Sequence, residues 1–264
     1  MAALIDRIRR AIRPAPALAE QLALADQAAR RGDHDAALAI WGPLAQEGQP
    51  EAQTRVGMCF AEGTGLGRDP ALAFRWFSLA AAQGDPAGCR LLAHAFFRGE
   101  GTVEDPARAA ELYRQAAEAG DAEAMDMLSW MLTEGEILPP DPAEALRLAE
   151  AAAAVGNAAA TTRLGMFYHN ALGVARDPAR AAGYWQKAAV MGDADAQAML
   201  GAALLLGTGI ARDPVMAFVW LLRGHAGNSP LAYPFLQRAA AALPPEEQGR
   251  ARRLAGMPPD GAAP

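Results

Sequence analysis

The chain has 264 residues, 52% of them hydrophobic, and a formal net charge of −6. This composition is too apolar for a disordered chain, and the acidic balance gives no general attraction to nucleic acid. Two cysteines are too few for a secreted disulfide scaffold, and no apolar run is long enough for a membrane-spanning helix. The first residues carry no secretory signal, so we expect a cytoplasmic protein.

The predicted elements begin with an amphipathic segment at residues 1–15. Leu4, Ile8 and Ile12 share one helical face, and the charged residues point away from it. Such a helix either packs over the first repeat as a cap or lies on an anionic membrane surface. The second alternative would make the chain a membrane-associated regulator that acts through residues 1–13.

A strict internal repeat follows. Asp-Pro recurs every 36 residues, at Asp69, Asp105, Asp141, Asp177 and Asp213. Small residues keep the same step at Gly57, Ala93, Ser129, Gly165 and Gly201. Several independent columns in one register predict a repeat protein.

Each column has a structural reason. Asp can accept hydrogen bonds at a helix N-terminus and Pro suits the next position, so a helix begins at each Asp-Pro. Residues that tolerate the left-handed conformation close each unit, at Gly84, Gly120, Gly156, Gly192 and Asn228. The small residue in the first helix of each hairpin lets the second helix approach closely. Gly-x-Gly turns, such as Gly63 to Gly65, join the two helices.

These signals predict five helical hairpins, at residues 50–84, 86–120, 122–156, 158–192 and 194–228. We expect a degenerate hairpin before them at 16–48, two capping helices after them within 229–256, and a tail at 257–264. One hairpin cannot bury its apolar stripe alone, so neighbours must stack. The predicted fold is all-α, an α-solenoid (superhelix) of stacked antiparallel helix–turn–helix units with a 36-residue period.

Within a hairpin the pattern reads Ala-x-x-x-Leu-Gly, then Gly-x-Gly-Val/Ile/Leu-x-x-Asp, Ala-x-x-x-Trp/Tyr and Ala-Ala-x-x-Gly. The fourth repeat shows it at Ala160, Leu164-Gly165, Gly173-Val174, Asp177, Ala181, Trp185, Ala188-Ala189 and Gly192. This pattern resembles the Sel1-like repeat family, a relative of the tetratricopeptide repeats, strongly over 50–228 and weakly over 16–48. Such proteins are often adaptors in signalling, secretion or envelope regulation. The resemblance therefore implies a protein–protein interaction scaffold and no enzyme.

Two turns depart from the pattern. Ile137 replaces the second glycine of the turn in the third repeat, and Ala171 replaces the first glycine in the fourth. The departures indicate either reshaped loops or a distinctive contact edge.

By the same resemblance, the first helices line a concave groove that would hold a peptide or helix of a partner. The predicted groove residues are Met58, Arg90, His94, Phe97, Arg98, Asp126, Trp130, Glu134, Met166, His169 and Asn170. Trp130 and Phe97 are the expected apolar contacts, because Trp and other large side chains dominate many interfaces. Alternatively, these side chains pack between repeats, and the arginines pair with acids of the next repeat.

No catalytic, cofactor or metal site is predicted. The four histidines make no metal-binding spacing with each other or with cysteine, and Cys59 and Cys89 lie too far apart to bridge. The sequence contains no Ser-x-x-Lys nucleophile, Walker loop or dinucleotide fingerprint. Some cysteine-rich Sel1 relatives resemble β-lactamases. A β-lactam-binding hydrolase is therefore the weakest alternative, since the in-repeat cysteine pairs are missing here.

Overall fold

The computed structural model describes residues 17–257, and fourteen helices with no strand make up this range. In chain order, α1 to α14 span Leu18–Arg30, His34–Gln46, Pro50–Glu62, Pro70–Ala82, Pro86–Arg98, Pro106–Glu118, Ala122–Glu134, Pro142–Ala154, Ala158–Asn170, Pro178–Val190, Ala194–Leu206, Pro214–Ala226, Tyr233–Ala241 and Pro245–Ala255. The amphipathic segment predicted at 1–15 lies outside the described residues, as does the tail after residue 257.

The chain divides into two compact units, residues 1–112 and 113–264, with α6 running across the boundary. In the first unit α1 pairs with α2 and α3 with α4, while α2 packs on α3 and α4 on α5. In the second unit α7–α8, α9–α10 and α11–α12 are hairpins, linked by α8 on α9 and α10 on α11. Both α13 and α14 pack against α12. The all-α solenoid class with its 36-residue period is confirmed.

The second helices begin as the Asp-Pro column predicts. Asp69, Asp141, Asp177 and Asp213 each precede a proline, and the side chain of each accepts a hydrogen bond from the backbone N–H three residues on. The first helices have an equivalent cap that the sequence analysis missed. It is formed by Asp85, Asp121, Asn157 and Asp193. Every capped helix thus satisfies one N–H group that would otherwise lack a partner.

The turn inside each hairpin requires a left-handed residue. Gly63, Gly99, Gly135 and Gly207 have φ angles of 80°, 66°, 74° and 72°. Ala171 occupies the same place with a φ of 60°, so the turn is not reshaped at this residue. A side chain in this conformation costs roughly 1–2 kcal/mol.

The two helices of a hairpin meet closely at the small-residue column. A Cβ on Gly57 would lie 2.6 Å from the Phe77 ring, and one on Gly165 would overlap the indole of Trp185. In the third repeat Ala149 takes the place of these aromatic residues. There the first helix carries Ser129, whose hydroxyl donates a 2.7 Å hydrogen bond to the Ala145 carbonyl. The predicted close approach is confirmed.

We predict that Ala171→Gly raises the free energy of unfolding by about 1 kcal/mol, because glycine adopts the left-handed conformation without strain. Urea denaturation measures the change. The matched control is Ala39→Gly at an exposed site within α2, where the same substitution should lower stability by about 0.5–1 kcal/mol. A loss of stability in both variants would contradict the strain at residue 171.

We predict that Gly165→Ala lowers the free energy of unfolding by about 1–3 kcal/mol, because the added methyl group overlaps Trp185. Gly183 is the control: it lies in α10, and a Cβ there would meet no atom within 4 Å. Gly183→Ala should therefore raise stability by about 0.5–1 kcal/mol. Equal effects of the two alanines would show that the helices do not depend on this close approach.

Candidate partner-binding site

Five predicted groove residues lie on α3 and α5 of the first unit. Met58 and His94 are partly buried, and both line one cavity of about 340 Å³. Arg90 and Phe97 are also partly buried and already have interactions within the chain, whereas Arg98 is exposed. The structure therefore brings two of the five residues together around a cavity.

The walls of this cavity are largely apolar. Phe74 and Phe77 come from α4, Leu91 comes from α5, and Ala61 lies one turn after Met58 on α3. The Phe74 ring meets Phe96 edge-on, with centroids 5.2 Å apart. An apolar cavity of this size can accept a side chain of a bound molecule.

Charged and titratable groups stand among these apolar walls. Glu62, Arg68 and Glu100 line the cavity beside His94. Burial lowers the pKa of His94, Arg98 lowers it further, and Glu100 opposes the shift. The lowered pKa favours the neutral imidazole, in which one nitrogen can donate and the other can accept a hydrogen bond.

A smaller cavity of about 190 Å³ adjoins the first one. Met58 and Glu62 line both cavities, so the two share a wall on α3. Trp41 and Cys59 also line the smaller cavity, and burial raises the pKa of the Cys59 thiol. At its edge Arg55 pairs with Asp26 at 3.1 Å, which ties α3 to α1.

Predicted groove residues of the second unit lie on α7 and α9. Trp130 and Met166 are partly buried, while Glu134 and Asn170 are exposed. Trp130 already has an interaction within the chain. Met166 and Trp130, the two large apolar side chains predicted for this part of the groove, are therefore both partly accessible to solvent.

Asp126 has a different environment from the exposed acid Glu134. Its side chain is buried, and Arg163 binds both carboxylate oxygens, at 2.7 and 3.1 Å. This ion pair joins α7 to α9, the first helices of successive repeats. The sequence analysis missed Arg163 because the two residues are 37 positions apart and no local pattern connects them.

His169 lies against the second helix of its own hairpin. Its ring is 5.3 Å from that of Trp185, and its Nδ1 is buried without a hydrogen-bond partner among the described residues. Its carbonyl accepts a hydrogen bond from Arg176 Nε at 3.2 Å. His169 therefore helps to pack α9 against α10, and only part of its surface faces solvent.

The sequence analysis also missed a hydrogen bond that joins successive repeats. Thr54 donates to the Asp85 carboxylate at 2.7 Å, and Thr162 donates to Asp193 at 2.9 Å. Each acceptor is also the N-cap of its own helix. A regular spacing of threonine before a capping aspartate, 31 residues in both cases, is the signal that could have revealed it.

Three further observations concern residues 17–257. No three His, Cys, Asp or Glu side chains in this range are placed to hold a metal ion. Cys59 and Cys89 are buried free thiols. None of the helices in the range combines the length and apolar character that crossing a bilayer requires.

Stacked helical hairpins with a 36-residue period define a helical repeat protein. The Sel1 repeat model matches residues 50–85, 86–121, 122–157, 158–193 and 194–224. The chain belongs to the Sel1 repeat family. Proteins of this family generally act as non-catalytic scaffolds for protein interactions.

Solved structures agree with this assignment. A Sel1 repeat protein from Oxalobacter formigenes is 28% identical, covering 91% of this chain and 94% of that chain with a TM-score of 0.72. The protective antigen c5321 of uropathogenic Escherichia coli is 23% identical over 89% of this chain and 56% of its own, with a TM-score of 0.64. The second likeness concerns the fold alone. Among curated protein sequences, none matches this chain significantly.

Lowering the pH from about 7.5 to 5.5 should reduce the free energy of unfolding. We predict that this reduction is smaller in His94→Gln than in wild type. The pKa of His94 is lower in the folded chain than in the unfolded chain. As the pH falls, His94 is therefore protonated at a higher pH in the unfolded state than in the folded state. The free energy of unfolding consequently decreases as the pH falls below about 6.5. Urea denaturation of both proteins at both pH values measures the effect. An identical loss in the variant would contradict the assigned environment of His94.

Proposed function

We propose that this chain captures a peptide or helix of a protein partner on the surface of its first helices. The proposal refines the scaffold role that is general in the Sel1 repeat family. Recognition of this kind places apolar side chains of the partner in pockets and lets polar groups at the rim set its register.

The cavity around Met58 and His94 is the observation that carries the proposal. It combines apolar walls from three helices with Glu62, Arg68 and Glu100. The side chains that contribute most to the binding energy of a complex usually fill a desolvated pocket of this kind on the other protein. An apolar anchor of the partner therefore enters between α3 and α5, where its burial excludes water.

Other predicted groove residues complete the proposed contacts. Arg90, Phe97 and Arg98 extend the surface along α5 of the first unit. The second unit presents a first-helix surface of its own, and its proposed contacts are Trp130, Glu134, Met166, His169 and Asn170. Asp126 contributes indirectly, because its ion pair with Arg163 fixes α7 against α9.

The domain boundaries are also part of the proposal. Residues 16–48 act as a degenerate first hairpin, and the helices within 229–256 cap the last repeat. The contacts of α13 and α14 with α12 support the second role. A cap of this kind gives a repeat array a polar end.

The proposed setting is the cytoplasm, in signalling or envelope regulation of the bacterial type. The two buried free thiols, Cys59 and Cys89, suit a reducing compartment. The membrane alternative depends on residues 1–13, which lie outside the described residues.

We predict that Ala61→Phe weakens binding of a partner peptide by about tenfold, because the phenyl group occupies the cavity. A peptide library selected on the immobilised chain supplies the ligand, and fluorescence anisotropy gives its Kd. Ala82→Phe is the matched control, since Ala82 is an exposed residue of α4 that does not line this cavity. This variant should keep the wild-type Kd.

Two outcomes would refute the proposal. One is a library that yields no binding peptide for the wild-type chain. The other is a library in which no selected peptide binds Ala61→Phe more weakly than wild type, provided that circular dichroism shows both to be folded.

A further inference from the structure

The second helices of the last two repeats carry the same pair of side chains. Tyr184 and Lys187 on α10 occupy the repeat positions of Trp220 and Arg223 on α12. In each pair the cation lies over the ring: Lys187 Nζ is 5.5 Å from the Tyr184 centroid, and Arg223 Cζ is 5.0 Å from that of Trp220. Two successive repeats thus present an aromatic ring and a cation in the same geometry.

Earlier repeats lack this pair. The corresponding positions hold Leu148 and Ala151 on α8, and Trp76 and Leu79 on α4. A basic residue occupies the position of Lys187 only in the last two repeats. The aromatic–cation pair is therefore not part of the general repeat pattern. Stacking alone does not require it.

Arg180 extends the basic surface along α10. Its guanidinium lies 4.0 Å over the Tyr168 ring, and that ring stacks on Tyr184 with centroids 5.6 Å apart. These contacts hold an exposed cation in one orientation, which reduces the entropy lost when an anion binds.

The charged side chains on α10 and α12 are all positive. Neither α10 nor α12 contains Asp or Glu, apart from the capping Asp177 and Asp213 that precede them. Arg180 and Lys187 are exposed, and Arg223 is partly buried and held by a 2.8 Å hydrogen bond from its Nη2 to the Leu254 carbonyl. The surface is therefore complementary to an acidic ligand.

Beside this surface is a cavity of about 310 Å³. Tyr184, Lys187 and Met191 line it from one side, and Glu150 and Ala154 of α8 line it from the other. Exposed apolar side chains stand nearby at the ends of α8 and α10. Val155, Val190 and Met191 are 71%, 74% and 46% exposed. Clustered exposed apolar groups of this kind mark interaction surfaces.

We propose that Arg180, Tyr184, Lys187, Trp220 and Arg223, the basic–aromatic surface, bind an acidic segment of a protein partner. Carboxylates of the segment pair with the cations of α10 and α12, and one of its apolar side chains enters the cavity beside Met191. Glu150, on the α8 side of the cavity, repels carboxylates and so directs them towards α10. These five side chains all belong to second helices, whereas the proposed function rests on side chains of first helices.

An acidic polypeptide fits better than a membrane or a nucleic acid. Binding to a membrane surface needs a broad apolar face flanked by many cations, whereas this surface has three cations, of which only Arg180 and Lys187 are exposed. Nucleic acid binding needs many cations along a backbone, whereas this chain has a net charge of −6 and a few cations at this surface. Both alternatives remain as outcomes of the test.

The test begins with a random peptide library selected on the immobilised full chain and, in parallel, on the Lys187→Glu variant. We expect peptides that combine Asp or Glu with a large apolar residue to be enriched on the wild type alone. For a selected peptide, Lys187→Glu should raise the Kd by about tenfold, and Lys187→Arg should leave it nearly unchanged. Arg75→Glu, which reverses an exposed cation on α4, controls for net charge and should have little effect.

Lys187 also provides a direct readout, because it is the only lysine in the chain. Reaction with an amine-specific acylating reagent, followed by mass spectrometry of the peptide fragments, reports on this side chain. The acidic peptide should protect Lys187 from acylation. The Ala61→Phe variant should show the same protection, which separates this surface from the first-helix surface.

Three results would overturn the inference. The first is a wild-type selection without enrichment of acidic peptides. The second is an acidic peptide that binds the Lys187→Glu variant as well as wild type or leaves Lys187 unprotected. The third is protection of Lys187 by phosphatidylserine vesicles or duplex DNA when the selected peptides give none.

Discussion

The close approach of two helices at one small residue is the contact on which each hairpin depends. Gly57 lies against Phe77, Gly165 against Trp185 and Gly201 against Leu221, and a Cβ at any of the three would overlap its neighbour. A single hairpin still leaves an apolar stripe uncovered, so its stability depends on the next hairpin in the stack. Hydrogen bonds such as the one from Thr54 to Asp85 fix that stacking.

The proposed function depends on the side chains that helix packing leaves uncovered. Residues at the helix–helix contacts, such as Trp185, are buried and cannot meet a partner. Positions next to them, such as Met58 and His94, border cavities between helices. The chemistry of those cavities varies because part of their walls, including Met58 and His94, comes from a position that the repeat does not fix. A common fold can therefore carry a specific binding surface.

The fold could be predicted because its signals are local. Asp-Pro caps a helix within a few residues and recurs five times at the 36-residue step, and the left-handed residues follow the same step, with four glycines in each column. The site was predicted less completely. Met58 and His94 were found from helical position, but the Asp126–Arg163 pair and the environment of His169 depend on contacts between helices. The pairs on α10 and α12 were missed because the sequence analysis considered only first helices as partner-binding elements.

A crystal structure of the chain with a library-selected peptide whose binding is weakened by Ala61→Phe tests the central claim most directly. The account predicts an apolar side chain of the peptide within about 4.5 Å of both Met58 and His94. A cavity filled by residues of the chain itself, or a peptide bound without contact to α3 or α5, would contradict it.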